Sequence, residues 1–110
     1  MTDRYAAYDK LLLERPADGI LKITFNKPET YNSVDAETHT QLTYIWRDID
    51  ADPTVRSVLV TGTGKAFSAG GDFGLIEKIM EDPQIRMQTW KEARDLVYNI
   101  INCNKVIVSA

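Results

Sequence analysis

Two short apolar runs constrain this chain more than any other feature. Val58-Leu59-Val60 and Val106-Ile107-Val108 are unbroken by polar residues, the mark of strands buried on both faces. Helix-forming sequence separates them, so they read as one β-α-β unit, a parallel pair with a right-handed crossover. A parallel sheet needs cover on both faces, and three helices are a short supply for that. With 110 residues the chain is read as one domain or part of one, here 1–110 as a single unit. The fold class is therefore α/β.

Upstream, Asp18-Gly19 stands between a leucine-rich stretch, Tyr8–Arg15, and Ile20–Asn26, and signals a hairpin. In Ile20–Asn26 the alternation predicts Leu21, Ile23 and Phe25 on the buried side, with Lys22, Thr24 and Asn26 opposite. Pro28 ends that strand, and residues 1–7 read as a loosely held start. A helix is expected from Ser33, capped by its hydroxyl, with Asp35 and Glu37 in the first turns and Leu42, Ile45, Trp46 and Ile49 as its apolar stripe. Ala51-Asp52-Pro53 stops it. Two more helices are expected, Phe73–Glu81 and Gln84–Asn102, the second burying Trp90, Ala93, Val97, Ile100 and Ile101.

Charge and cysteine content narrow the function classes. Lys and Arg total 13 against 16 Asp and Glu, a net −3, which leaves no polycationic face for nucleic acid or an anionic membrane. A single cysteine, Cys103, excludes an internal disulfide framework and a multi-Cys zinc site. No long apolar run occurs near the start, so a cytoplasmic protein without a membrane span is expected.

The stretch Gly62-Thr-Gly-Lys-Ala-Phe-Ser-Ala-Gly-Gly-Asp-Phe-Gly74 leaves a strand and opens a helix, a common ligand position in α/β sheets. It is no Walker A loop, since Leu59 stands where the first glycine belongs and Ala66 follows Gly64-Lys65. It is no dinucleotide fingerprint either, because Phe67 replaces a required glycine. Asp72-Phe73-Gly74 spells a kinase motif without the accompanying catalytic loop. What remains is a run of small residues that lets backbone approach a bound group, with Asp72 as a helix cap and the Gly71 amide near the positive helix end. Such an amide can stabilise an oxyanion or polarise a thioester carbonyl. The alternative is a tight turn with no ligand.

Four segments carry a resemblance, in order. Lys65-Ala-Phe-Ser-Ala-Gly-Gly-Asp-Phe73 resembles the oxyanion loop of the crotonase superfamily, the enoyl-CoA hydratase/isomerase family. Ile23-Thr-Phe-Asn-Lys-Pro-Glu-Thr-Tyr-Asn-Ser33 is similar to its strand-then-N-R-P-x-x-x-N-A segment. Arg56-Ser-Val-Leu-Val-Thr-Gly62 and Lys105-Val-Ile-Val-Ser-Ala110 look like two of its strands, with Val106 where proline is usual.

The resemblance implies crotonase-like ββα repeats, of which this chain would be the amino-terminal part with an initial hairpin and a β-α-β unit. It also implies assembly as a homotrimer or homohexamer. The implied substrate is an acyl-CoA, with coenzyme A as part of the substrate and no separate cofactor or metal. Gly71 is the implied oxyanion donor. The implied CoA-contacting residues are Glu29, Thr30 and Tyr31, then Ala69, Gly70, Gly71, Asp72, Phe73 and Gly74. Family members often carry lysine at the positions of Glu29 and Gly74, and Lys27 or Lys78 is the expected substitute. The second oxyanion amide and two hydratase glutamates belong to motifs absent from these residues, so the chain reads as part of a longer enzyme. Hydration of a 2-enoyl-CoA is the leading expectation. Isomerase, thioesterase or ring-forming chemistry, and a non-catalytic binding fragment, are the alternatives.

Other residues read as structural. His39 is expected to face solvent, Cys103 to be a small buried hydrophobe and Trp46 to be core. Trp90 is expected in the core or beside an acyl pocket, and Glu77, Glu81 and Glu92 as solvated helix charges.

Overall fold

The computed structural model describes residues 4–110. Four strands, β1 (Leu12–Ala17), β2 (Ile20–Phe25), β3 (Ser57–Gly62) and β4 (Val106–Ser109), form one sheet in the order β1-β2-β3-β4. β1 pairs antiparallel with β2, while β2, β3 and β4 run parallel. The helices are α1 (Ala36–Ala51), between β2 and β3, then α2 (Phe73–Glu81) and α3 (Pro83–Ile101), between β3 and β4. Both parallel pairs are thus β-α-β units. Among the described residues no helix is long and apolar enough to cross a membrane.

The hairpin forms where Asp18-Gly19 predicts it, with Gly19 at φ +79°, a conformation that disfavours any side chain. Gly19 O accepts from Arg56 N (2.8 Å) and Ser57 N (3.1 Å), which docks the turn on the start of β3. β1 begins later than the leucine run suggests and continues through Pro16. Pro16 is tolerated because β1 is an edge strand with an irregular register between Glu14 and Ala17, so a missing amide breaks no central ladder.

Leu21, Ile23, Phe25, Val58 and Val60 meet Ile45, Trp46 and Ile49 of α1 in the core, as their spacing predicts. Fully burying each such side chain is worth about 1.5–3 kcal/mol. Thr24 departs from the alternation and is buried. The opposite sheet face leaves Leu12, Val106 and Val108 exposed.

Two helix expectations are corrected. The cap of α1 is Asp35, whose Oδ1 accepts from Thr38 N at 2.8 Å, and not Ser33, whose hydroxyl donates to Thr30 Oγ1. Tyr31 and Asn32 are left-handed (φ 54° and 58°), so the chain cannot enter a helix that early. The predicted apolar face of α3 points outward, Trp90 being 72% and Ile101 74% exposed. Toward α1 the helix turns Glu92 and Asn99 instead, because α1 offers them partners. Thr40 Oγ1 donates to Glu92 Oε2 (2.8 Å), Asn99 Nδ2 to Thr43 O (2.8 Å) and Arg47 Nε to Asn99 Oδ1 (3.2 Å). A satisfied polar interface of this kind has no signature in apolar periodicity.

The start of the chain also differs from expectation. Residues 1–3 of the segment expected to be loose lie outside the described residues, but Tyr5 is buried and its hydroxyl donates to Asp52 Oδ2 at 2.6 Å. Tyr8 donates to Asp48, and Gln41 Nε2 to Asp9 Oδ1. Gln41 and Asp48 lie on one stripe of α1 and Asp52 directly follows its last residue, so the leading segment is strapped along that helix. Asp52 is the anchor, holding Thr54 N and Oγ1 as well as Arg15 Nη2. Burial pushes its carboxyl up, but the hydrogen bonds from Thr54, Tyr5 and Arg15 outweigh that and hold it well below the usual carboxylate range. A depressed pKa in the folded state stabilises above the unfolded value, about 4, and the contribution is lost as pH falls below it. Asp52→Asn is expected to lower stability by about 2–3 kcal/mol at neutral pH in urea unfolding, with the gap to wild type narrowing steadily from pH 4 to pH 2. A gap that does not change with pH would show that the charge of Asp52 is not what the strap depends on.

Candidate active site

The glycine-rich loop is built on a buried amide. Asn32 is 1% exposed, and its carboxamide is used at both ends. Oδ1 accepts from Lys27 N (2.8 Å), while Nδ2 donates to Thr63 O (2.9 Å) and Ala66 O (2.7 Å). One side chain therefore closes the 27–32 turn and clamps it to the turn after β3. Close packing follows: a Cβ on Gly62 would lie 2.3 Å from Phe67 O and 2.7 Å from Asn32 Nδ2. Phe25 and Phe67 meet edge-on at 5.5 Å beneath the loop.

From this clamp the two segments that the resemblance singles out run side by side. Ser68 Oγ donates to Asn32 O (2.8 Å), Ala69 N to Tyr31 O (2.9 Å), Val34 N to Gly70 O (2.7 Å) and Asp72 N to Val34 O (2.9 Å). Val34 and Gly71 thus form a parallel bridge. In such a bridge the flanking residues bond to Val34, so the N–H and C=O of Gly71 point the other way. Gly70 N donates to Ser68 Oγ (3.2 Å) and Leu75 N to Asp72 Oδ1 (2.7 Å). Among the described residues, Gly71 N–H has no acceptor.

This is the geometry an oxyanion donor requires: an exposed amide, fixed by neighbours on both sides, next to the capped start of α2. Gly70 sits at φ +90°, which holds the loop open at that point. A Cβ on Gly71 would rest in ordinary contact with Leu75 Cδ2 (3.7 Å) and Ile76 Cγ1 (4.0 Å).

The remaining predicted residues are distributed around this point. Glu29 and Thr30 are exposed in a 3-10 turn, Pro28–Thr30, and Tyr31 is 62% exposed. Ala69, Gly70, Phe73 and Gly74 are exposed, and Asp72 is half-buried as the cap. Lys27 lines a cavity of about 270 Å³ with Lys10, Asn26, Ser33 and Asp35. Burial pushes the Asp35 carboxyl up, yet its bonds with Thr38 and the charges of Lys10 and Lys27 bring it below its ordinary value. Lys78 lines a different cavity, between the three helices.

Several single residues depart from expectation. His39 does not face solvent: its side chain is 16% exposed and Nδ1 lies 3.0 Å from Glu92 Oε1. Glu92 is correspondingly not a solvated charge, while Glu77 and Glu81 are exposed. Trp46 is core, Trp90 is not, and Cys103 is half-buried against the core. The sequence marks Asn32 as the second asparagine of the segment similar to N-R-P-x-x-x-N-A, tolerant of left-handed φ, but does not show what its carboxamide holds.

Comparison with known proteins agrees with the fold. Residues 15–110 match the enoyl-CoA hydratase/isomerase family profile, and the chain belongs to this family. An enoyl-CoA hydratase/isomerase from Mycobacterium paratuberculosis superposes with a TM-score of 0.86 at 35% identity, over 92% of this chain and 40% of that one. A 1,2-epoxyphenylacetyl-CoA isomerase from Escherichia coli is 28% identical over 103 residues, covering 92% of this chain and 39% of its own. A mevalonyl-coenzyme A hydratase from Beauveria bassiana is 40% identical over 57 residues, 52% of this chain and 20% of that protein. The chain spans about two-fifths of the length of the relatives that it matches over most of its own length.

If Asn32 is the clamp, Asn32→Ala should cost about 2–4 kcal/mol, because two carbonyls are left buried without donors. Asn32→Asp should cost more at neutral pH, since a carboxylate faces the carbonyls of Thr63 and Ala66. Urea melts of the two variants check both the size and the order.

Proposed function

We propose that this chain forms the thioester-holding part of an acyl-CoA site, in which Gly71 N–H donates to the thioester oxygen. The observation that carries the reading is the unspent, exposed Gly71 amide beside a capped helix start, in a chain of the enoyl-CoA hydratase/isomerase family. As an acyl-CoA passes to an enolate-like state, negative charge collects on that oxygen, and a fixed amide binds the charged state better than the neutral one. Loss of one such donor typically costs about 3–4 kcal/mol in the transition state.

The CoA arm is assigned to Glu29, Thr30 and Tyr31 on one side, and to Ala69, Gly70, Asp72, Phe73 and Gly74 on the other, two segments joined by the Tyr31–Ala69 hydrogen bond. Lys27 is the assigned phosphate partner, since Lys78 lines a different cavity. Hydration of a 2-enoyl-CoA is the proposed reaction, with the second amide and the carboxylates supplied from outside these residues. Trimeric or hexameric assembly in the cytoplasm belongs to the same reading. The outward apolar stripe of Trp90, Val97 and Ile101 supports the assembly.

Calorimetric titration with crotonyl-CoA and with free CoA separates thioester recognition from recognition of the arm. Crotonyl-CoA is expected to bind several-fold more tightly than CoA, and Gly71→Pro to weaken it about three- to tenfold by deleting one hydrogen bond. Gly71→Ala keeps the donor and meets only ordinary contacts, so it should behave like wild type. No binding at millimolar ligand, or an unchanged affinity in Gly71→Pro, would refute the assignment.

A further inference from the structure

Tyr31 sits in a conformation that its side chain does nothing to explain. Its backbone is left-handed at φ 54°, a region that few residues other than glycine and asparagine enter. Asn32 shares that conformation, and the clamp made by its carboxamide accounts for it. The Tyr31 side chain has no counterpart to that clamp. It is 62% exposed, and among the described residues its ring meets no other ring or cation and its hydroxyl makes no hydrogen bond. Backbone outliers of this kind concentrate at ligand clamps.

The residue is nevertheless held firmly. Tyr31 N donates to Pro28 O (3.2 Å) and Tyr31 O accepts from Ala69 N (2.9 Å), so it is pinned on both sides, the second time to the Gly71 loop. It stands three residues before Val34, hence at most about 11 Å along the chain from the Val34–Gly71 bridge. A tyrosine has only two side-chain torsions to fix, and its flat face can stack on any heteroaromatic base. Glu29, exposed two residues earlier, makes no side-chain hydrogen bond or ion pair among the described residues. Its negative charge repels a phosphate from this turn and leaves the place to an uncharged ring.

We propose that the Tyr31 ring is the stacking platform for the adenine of coenzyme A. The inference rests on the acyl-CoA reading and deepens it, by naming the group that recognises the nucleotide end of the ligand. A flexible pantetheine arm joins that end to the thioester on Gly71, so the two contacts fail separately.

The test compares CoA with pantetheine, which lacks the nucleotide, by NMR titration of the full chain. CoA should bind more tightly than pantetheine, and Tyr31→Ala should weaken CoA at least fivefold while leaving pantetheine unchanged. Tyr31→Phe keeps the ring and should stay within twofold of wild type. The adenine H2 and H8 resonances should move upfield on binding to wild type and not on binding to Tyr31→Ala, because a ring face lying on the base produces that shift. Equal weakening of both ligands in Tyr31→Ala would make Tyr31 a support of the loop and overturn the proposal. An unchanged CoA affinity, or an upfield shift that survives the substitution, would overturn it as well. None of these readings involves the thioester, so failure of the Gly71 assignment, seen as crotonyl-CoA binding no better than CoA, is a separate result.

Discussion

The carboxamide of Asn32 is the interaction on which the candidate site rests. Three hydrogen bonds from one buried side chain join a turn that follows β2 to a turn that follows β3. Those turns leave parallel strands at the same sheet end, and parallel strands do not bring their loops into contact unaided. With the clamp in place, Val34 can bridge to Gly71, and the bridge consumes the neighbouring backbone groups while turning the Gly71 amide outward. Ala69, Gly70, Asp72 and Leu75 have given up their amide hydrogens to internal acceptors, while the Gly71 amide, like those of Phe73 and Gly74 at the start of α2, has none among the described residues.

In the proposed acyl-CoA site, fixing that amide in advance has a catalytic rationale. A peptide N–H cannot be tuned by pKa and carries no formal charge, so its value lies in being aimed before charge develops. The loop achieves this without a rigid element of its own, using a sheet-like bridge on one side and the Asp72 cap of α2 on the other. Gly64 and Gly70 at positive φ, and Gly62 under Phe67 and Ala66, are the three glycines that the path demands. The remaining structure supports the frame. α1 is held to the sheet by its apolar stripe, to α3 by the Glu92–His39 and Asn99 bonds, and to the leading segment by Asp52.

What the sequence makes legible is local. The bounds of α2 are readable because Asp72 caps it and Glu81-Asp82-Pro83 stops it, and the hairpin because Asp18-Gly19 permits few other geometries. The parallel strands follow from their unbroken apolar runs. Expectation and structure part wherever a partner distant in sequence decides the outcome. β1 passes through Pro16 because it lies at an edge, and Ser33 loses the cap to Asp35 because Val34 is held by Gly70 and Asp72. α3 faces inward with its polar side because α1 presents His39, Thr40 and Thr43 there. The site follows the same division. The Gly71 loop is visible through its family resemblance, whereas the three partners of Asn32 lie in two separate turns, and only the folded chain brings them within reach of one carboxamide.

The central claim is that one backbone hydrogen is free in the unliganded protein and engaged by a thioester. The amide resonance of Gly71 in ¹⁵N-labelled protein, with its solvent exchange rate, reads this directly. The account predicts fast exchange in the free protein, and slowed exchange with a downfield proton shift on adding crotonyl-CoA but not on adding CoA. A Gly71 amide already protected without ligand, or one that stays unshifted while crotonyl-CoA binds, would contradict it.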